Sequence, residues 1–235
     1  MRKIHLKRTE FQSLLKSLGK ISDSAIFSLS ENGIDALTSS DDNSMRIWGH
    51  LDGEFEDVTL NLPSLKKLDK ALDMIKDDEV EFILNSNNLE YRGSKVKFTY
   101  HLYDDGILTK PKFSIEKFRS LQFSIEFDFD RKFLTELIKN STITSTDKLY
   151  IYTEDDHLVW SLSDKTATNS DSLTIIGSEV DFDMNPFIVK VDNVKVLATM
   201  SKDITLRANK EPSLVNMVAK DGDLTLNYIF SSLVA

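Results

Sequence analysis

The sequence predicts an α+β protein made of two copies of one unit, each reading strand, helix, three strands, helix, three strands. Three observations lead there. Apolar residues recur at helical spacing in only four windows of the 235-residue chain, most of the rest alternates in short strands between Asn, Asp, Ser and Gly turns, and the chain matches itself at offsets of 123 to 129 residues.

Ile4 and Leu6 mark an opening strand. Thr9 then serves as N-cap of a first helix with Phe11, Leu14, Leu15 and Leu18 on one face, and Gly19 ends it. Strands are expected at residues 25–30, 34–38 and 45–51. Pro63, favoured in a first helical turn, opens a second helix that stacks Leu65, Leu68, Leu72 and Ile75. Strands at 80–84 and 96–103 complete the first unit. In 121–129, Phe123, Ile125, Phe127 and Phe129 alternate with Gln122, Ser124, Glu126 and Asp128, the pattern of a sheet with one wet face. Asp130 caps a third helix carrying Phe133, Leu134, Leu137 and Ile138, and strands follow at 149–153, 157–162 and 173–176. A fourth, β-branched helix holds Val191, Val194, Leu197 and Ala198, and strands at 204–208, 215–219 and 224–230 close the chain.

The repeat is visible residue by residue. Ile4 and Leu6 fall on Phe127 and Phe129, Leu14 and Leu15 on Leu137 and Ile138, Leu65 and Leu68 on Val194 and Leu197, and Val96, Phe98 and Tyr100 on Leu224, Leu226 and Tyr228. The small drift in offset is what different loop lengths in two copies produce. Domains are therefore expected at 1–103 and 121–235, joined by a connector at 104–120. A plain linker would not need its five apolar residues, Ile107, Leu108, Phe113, Ile115 and Phe118.

Composition excludes several classes of protein. Hydrophobic residues make up 40% and charged ones 29%, which suits an ordered globular chain, and the absence of Cys rules out disulfide scaffolds, zinc ribbons, thiol nucleophiles and iron–sulfur centres. No apolar stretch reaches membrane-spanning length, and the basic N-terminus has no apolar run behind it, so no membrane partner and an intracellular location are expected. Phosphate loops, dinucleotide fingerprints and nucleophile elbows do not occur. His5, His50, His101 and His157 are scattered, and Asp181, Asp183 and Asn185 begin like a calcium loop but meet Pro186 where the sharp turn wants Gly. Neither an enzyme nor a bound cofactor or metal is expected.

The charge pattern is the positive signal. The chain carries a net charge of −9, yet the helix windows 9–20, 63–76, 130–141 and 190–202 hold twelve basic side chains against six acidic ones. Lysines lie opposite the apolar stripes, so one face of each helix packs on a sheet while the other shows positive charge. Taken one helix at a time, this is an ordinary solvated face. Its recurrence across the repeat, without interleaved aromatics, suits sequence-blind contact with phosphates. The candidate contacts are Lys16, Lys20, Lys66, Lys67, Lys70, Arg131, Lys132, Lys139, Lys195 and Lys202.

The doubled unit and lysine-bearing helices, together with the segments FQSLLKSLGKISDSAIFSLSENGIDALTSSDDNSMRI and VDNVKVLATMSKDITLRANKEPSLVNMVAKDGDLTLNYIF, resemble a two-domain DNA polymerase sliding clamp. The pattern is similar to the proliferating cell nuclear antigen of eukaryotes and archaea and to the clamp of T-even-type bacteriophages. That resemblance implies the DNA clamp fold: a homotrimeric ring walled by antiparallel sheet and lined by helices around double-stranded DNA, loaded by a clamp-loader ATPase. It also implies a pocket beside the connector for a DNA polymerase tail peptide, walled by Met45, Ile107, Leu108, Ile115, Tyr228 and Phe230. Subunits would meet through free-edge strands at 96–103, with Val96, Phe98 and Tyr100, and at 157–165, with Leu158, Trp160 and Leu162. Two alternatives remain open on the residues alone: a duplicated β-rich virion or interaction module with no DNA role, and a carboxylate hydrolase.

Overall fold

The computed structural model describes residues 2–109, 113–144, 146–164, 171–197 and 204–233, and only the backbone of Arg131. The chain folds as two compact units. Unit 1 comprises Met1–Ser40, Ile47–Ile115 and Lys220–Leu226, and unit 2 comprises Asp41–Arg46, Glu116–Ala219 and Asn227–Ala235.

The first half runs β1 (Arg2–Lys7), α1 (Arg8–Leu18), β2 (Ala25–Ser30), β3 (Gly33–Ser39), β4 (Met45–Leu51), β5 (Val58–Leu62), α2 (Leu65–Leu72), β6 (Glu79–Leu84), β7 (Asn88–Arg92) and β8 (Lys97–His101). A short helix, α3 (Ile115–Arg119), follows. The second half runs β9 (Ile125–Phe129), α4 (Arg131–Asn140), β10 (Lys148–Glu154), β11 (His157–Leu162), β12 (Leu173–Glu179), β13 (Phe187–Lys190), α5 (Val191–Leu197), β14 (Ile204–Ala208), β15 (Leu214–Asp221) and β16 (Leu224–Ser231).

Both halves thus read strand, helix, four strands, helix, three strands, with one strand more between the helices than the sequence reading expected. β5 ends immediately before Pro63, which drew attention to the helix beyond it. β13 has only four residues, three of them buried, so no alternation marks it.

Pairing is antiparallel throughout the registers below, and the two halves use the same scheme. In unit 1 one sheet has the order β1-β6-β7-β8, and the run β5-β2-β3-β4 forms a second layer. In unit 2 the order β12-β11-β10-β13 matches that second layer, while β9, β14 and β15 pair as β1, β6 and β7 do. The repeat legible in sequence is therefore a repeat of strand pairing.

Helix boundaries correct two details. α1 starts at Arg8 with Lys7 at its N-cap, and no side chain caps it, so Thr9 lies inside the helix; Gly19 ends it at φ −64°, without a left-handed turn. α2 starts at Leu65, so Pro63 precedes the helix instead of opening its first turn; Ser64 is the cap, its hydroxyl accepting from the Lys67 N–H at 3.2 Å. Asp130 caps α4 as expected, accepting from the Lys132 N–H at 2.8 Å. Ala198 lies outside the described residues.

Each unit closes its own core. In unit 1, Phe11 of α1 meets Phe27 and Phe82 edge-on at 6.0 and 6.4 Å, and Leu14, Leu15 and Leu18 are buried. Leu14 also packs onto Gly49 of β4 so closely that a Cβ there would lie 2.1 Å from its Cδ1 and 3.3 Å from Leu226 Cδ2. In unit 2, Phe129 and Phe133 pack against the buried Trp160 at 5.6 and 5.3 Å.

Candidate nucleic-acid interface

α1 and α2 pack against each other in unit 1, and α4 and α5 do so in unit 2. The first seam is polar and fully partnered. Gln12 is buried, its amide N–H groups donating to Asp69 Oδ1 at 3.1 Å and Asp73 Oδ1 at 2.8 Å while its carbonyl accepts from Arg8 at 3.0 Å. Asp23 holds the start of α2, accepting from the Ser64 hydroxyl at 2.8 Å and the Lys66 N–H at 3.0 Å.

With the apolar stripes and this seam turned inward, the lysines face out. Lys16, Lys20, Lys66, Lys67, Lys70, Lys132, Lys139 and Lys195 are all exposed. Lys16 lies 3.5 Å from Asp69, and Lys195 pairs with Asp192 one turn away at 2.7 Å. Lys20, Lys66, Lys67, Lys70, Lys132 and Lys139 make no ion pair among the described residues. Six uncompensated ammonium groups on an acidic chain, five on helices and Lys20 in the turn after α1, can concentrate polyanion without reading its sequence. Arg131's side chain and Lys202 lie outside the described residues.

The subunit-interface expectation divides. β8 is an outer strand of its sheet, as expected. Phe98 is half-buried, stacked on Tyr91 at 5.6 Å, and Val96 is also half-buried, just before the strand. Tyr100 points inward and is buried, its hydroxyl donating to the Ser64 carbonyl at 2.8 Å and accepting from the Ser64 N–H at 2.9 Å.

The strand at 157–165 is not an edge. β11 is flanked by β10 and β12, and Leu158, Trp160 and Leu162 are core residues at 0 to 1% exposure. The outer strands of that sheet are β12 and β13, and Ile176 of β12 is 68% exposed. Sequence reasoning missed this because β11 has the stronger apolar run, which signals a central strand buried on both faces rather than an edge.

Burial of Tyr100 ties the stability of its strand to pH. Burial pushes its phenol from 10.0 up to about 12, against a smaller opposing effect of the Ser64 backbone hydrogen bond. The raised native value means its stabilising contribution is whole below the unfolded pKa and is lost as pH rises toward the folded one. At about 1.4 kcal/mol per pH unit, with both ends of the window half-titrated, urea-unfolding stability should fall by no more than about 2 kcal/mol between pH 10 and 12 on account of this group. Tyr100→Phe should start less stable, with Ser64 short of a partner, and lack that part of the decline; parallel curves for parent and variant would contradict the assignment.

The proposed peptide pocket does not form from all six of its residues. Met45, Tyr228 and Phe230 are fully buried in unit 2 and present no surface. Asn227 and Ile229 on the other face of β16 are buried too. Ile107 is 57% exposed, and Leu108 and Ile115 are half-buried; these three belong to unit 1.

His50 is held in a side-chain network. His50 Nδ1 lies 2.8 Å from Asp35 Oδ1 and Nε2 3.1 Å from Asp52 Oδ1, and Trp48 Nε1 donates to the same Asp35 oxygen at 2.8 Å. Among the described residues no cluster of His, Asp or Glu side chains could hold a metal ion, and no helix is long and apolar enough to cross a membrane.

Two repeats of strand, helix, four strands, helix, three strands, each pairing its two helices and turning their lysines outward, have the architecture of a DNA sliding clamp. Solved clamps agree with it along their whole length. The A. fulgidus proliferating cell nuclear antigen bound to the C-terminal region of FEN-1 matches at a TM-score of 0.80 and 14% identity, over 100% of this chain and 99% of that one. The antigen from Entamoeba histolytica matches at 0.78 and 14%, over 99% of both chains, and the PCNA2–PCNA3 complex from Sulfolobus tokodaii at 0.72 and 10%, over 98% of both. No family model and no curated protein matches at the level of sequence. The likeness is one of fold, carried by pairing and core pattern rather than by shared residues.

Proposed function

We propose that this chain is a DNA sliding clamp: three copies close into a ring around duplex DNA and tether a replicative DNA polymerase for processive synthesis. The observation that carries the reading is the clamp fold with exposed, unpaired lysines on helices of both units. DNA held topologically needs only weak, diffuse phosphate contacts, and lysine stems provide these without fixing a register. A closed ring must be opened to admit DNA, which implies a clamp-loader ATPase as partner.

The A. fulgidus clamp was solved with a C-terminal segment of FEN-1, and the same kind of ligand is proposed here: a short apolar tail of a polymerase, resting on the connector near Ile107 and Leu108. The chain's own chemistry in this role is binding, with no bond made or broken.

Sedimentation equilibrium at micromolar concentration should give particles of three chains. A stable monomer or an even-numbered assembly would overturn the reading. Once loaded, the particle should stay with nicked circular duplex through gel filtration and leave when that circle is cut once. Retention on cut DNA would mean ordinary binding instead of encirclement.

A further inference from the structure

We infer that Asp69 lightens the grip of unit 1 on duplex DNA: it holds the Lys16 ammonium at the α1–α2 seam, away from phosphates, as a brake built into the face that carries the lysines. The inference rests on the clamp reading above and concerns how tightly, rather than whether, that face takes the duplex.

The seam is built to keep Asp69 in place. Arg8, Gln12 and Lys16 follow one another at four-residue spacing on α1, and Asp69 and Asp73 do so at the end of α2. Buried Gln12 donates to both carboxylates and is itself fixed by Arg8, whose Nε donates to the Asp77 carbonyl at 2.9 Å. The Asp69 side chain is only 16% exposed, whereas that of Lys16 is 54% exposed on a long stem, so the pair forms by the lysine bending to the carboxylate. An acid near the end of a helix works against its dipole, and α2 alone therefore gives no reason for Asp69 or Asp73.

The second repeat omits the brake. At an offset of 123, Arg8, Gln12 and Lys16 become Arg131, Thr135 and Lys139, and at 129, Asp69 and Asp73 become Ala198 and Lys202. The lysine is retained while both carboxylates are lost. Lys139 is exposed and makes no ion pair among the described residues, whereas its counterpart Lys16 is engaged at 3.5 Å. One chain thus presents the same lysine in a held and a free form. A loose pair with one exposed partner shifts an equilibrium by a small factor and does not lock it. Such a factor suits a protein held on DNA topologically, since each firm phosphate contact must break again at every step along the duplex.

Asp69→Asn is the deciding variant. It removes the charge but keeps an oxygen for the Gln12 amide, so fold and particle mass should match the parent. On a random-sequence duplex at low salt, affinity read by anisotropy should rise about two- to fivefold. The slope of log affinity against log salt should steepen by about one as Lys16 reaches a phosphate. Adding Lys16→Ala to Asp69→Asn should return the slope to the parent's. Asp73→Asn is the control: its carboxylate also accepts from Gln12, at 2.8 Å, but makes no ion pair among the described residues, so the slope should not change. An unchanged or shallower slope for Asp69→Asn, an equal steepening for Asp73→Asn, or a slope that stays steep without Lys16 overturns the brake and leaves the clamp standing. A parent protein with no salt-dependent hold on the duplex overturns the clamp reading and the brake together.

Discussion

Replacing Lys20, Lys66, Lys67, Lys70, Lys132 and Lys139 together with Ala should abolish most duplex binding while leaving the particle's mass and unfolding midpoint near those of the parent. Each side chain is exposed and unpaired among the described residues, so its loss uncovers no buried charge. Ala is also the better helix former, and α1, α2 and α4 should persist. Binding to a random-sequence duplex, followed by anisotropy from roughly 50 to 200 mM salt, reads the phosphate contacts directly. The slope of log affinity against log salt should fall by about one for every lysine that touches a phosphate, with no dependence on DNA sequence. Lys16→Ala alone should do much less, because Asp69 already offsets that charge at 3.5 Å. If the sixfold variant keeps the parent's slope, the helix lysines are a solvated surface and DNA is met elsewhere.

The parts of the fold that sequence reading recovered share a physical cause. α1, α2 and α4 each bury one stripe and expose the other, and a 3.6-residue period survives any accident of sequence along such a helix. β9 and β14 alternate because one face is wet. The parts that escaped are those where burial erases the period. β13 is a four-residue strand with three buried positions, and Asn227, Tyr228, Ile229 and Phe230 are all buried in succession, so neither shows which side faces out. The Thr9 cap failed for another reason: β1 runs straight into α1 through Lys7, leaving no loop residue to do the capping.

The candidate site was legible where it depends on composition and hidden where it depends on pairing. An excess of lysine on helices can be counted. Which strand ends a sheet cannot be, since it turns on what lies beside β11 and β12, although the unbroken apolar run of β11 was one local sign that it is central. The usable signal was the repeat itself: Gly49 and Gly177 hold the same place in equal strands, and following that match would have pointed to β12 rather than β11. The peptide pocket failed because Met45, Tyr228 and Phe230 were grouped by likeness to a family whose residues this chain shares at only 10 to 14%.

If three copies close into a ring as proposed, Ile176→Pro should leave them as folded single chains. At this position the backbone N–H points away from β11, so proline removes no bond from the β11–β12 ladder, and edge strands tolerate it there. What it removes is a donor to a strand of the next copy, worth about 1 kcal/mol, and its ring fills the space such a strand must enter. The loss recurs at every junction of a closed ring, so assembly should weaken far more than one bond suggests, by well over tenfold at each contact. Ile176→Val keeps the donor and most of the apolar surface, and should remain assembled. Circular dichroism separates loss of assembly from loss of fold, because the β-rich spectrum and melting of the single chain persist in the first case alone. A proline variant that still sediments as three chains would show that β12 is not the edge through which copies meet, and the ring would have to close through other strands.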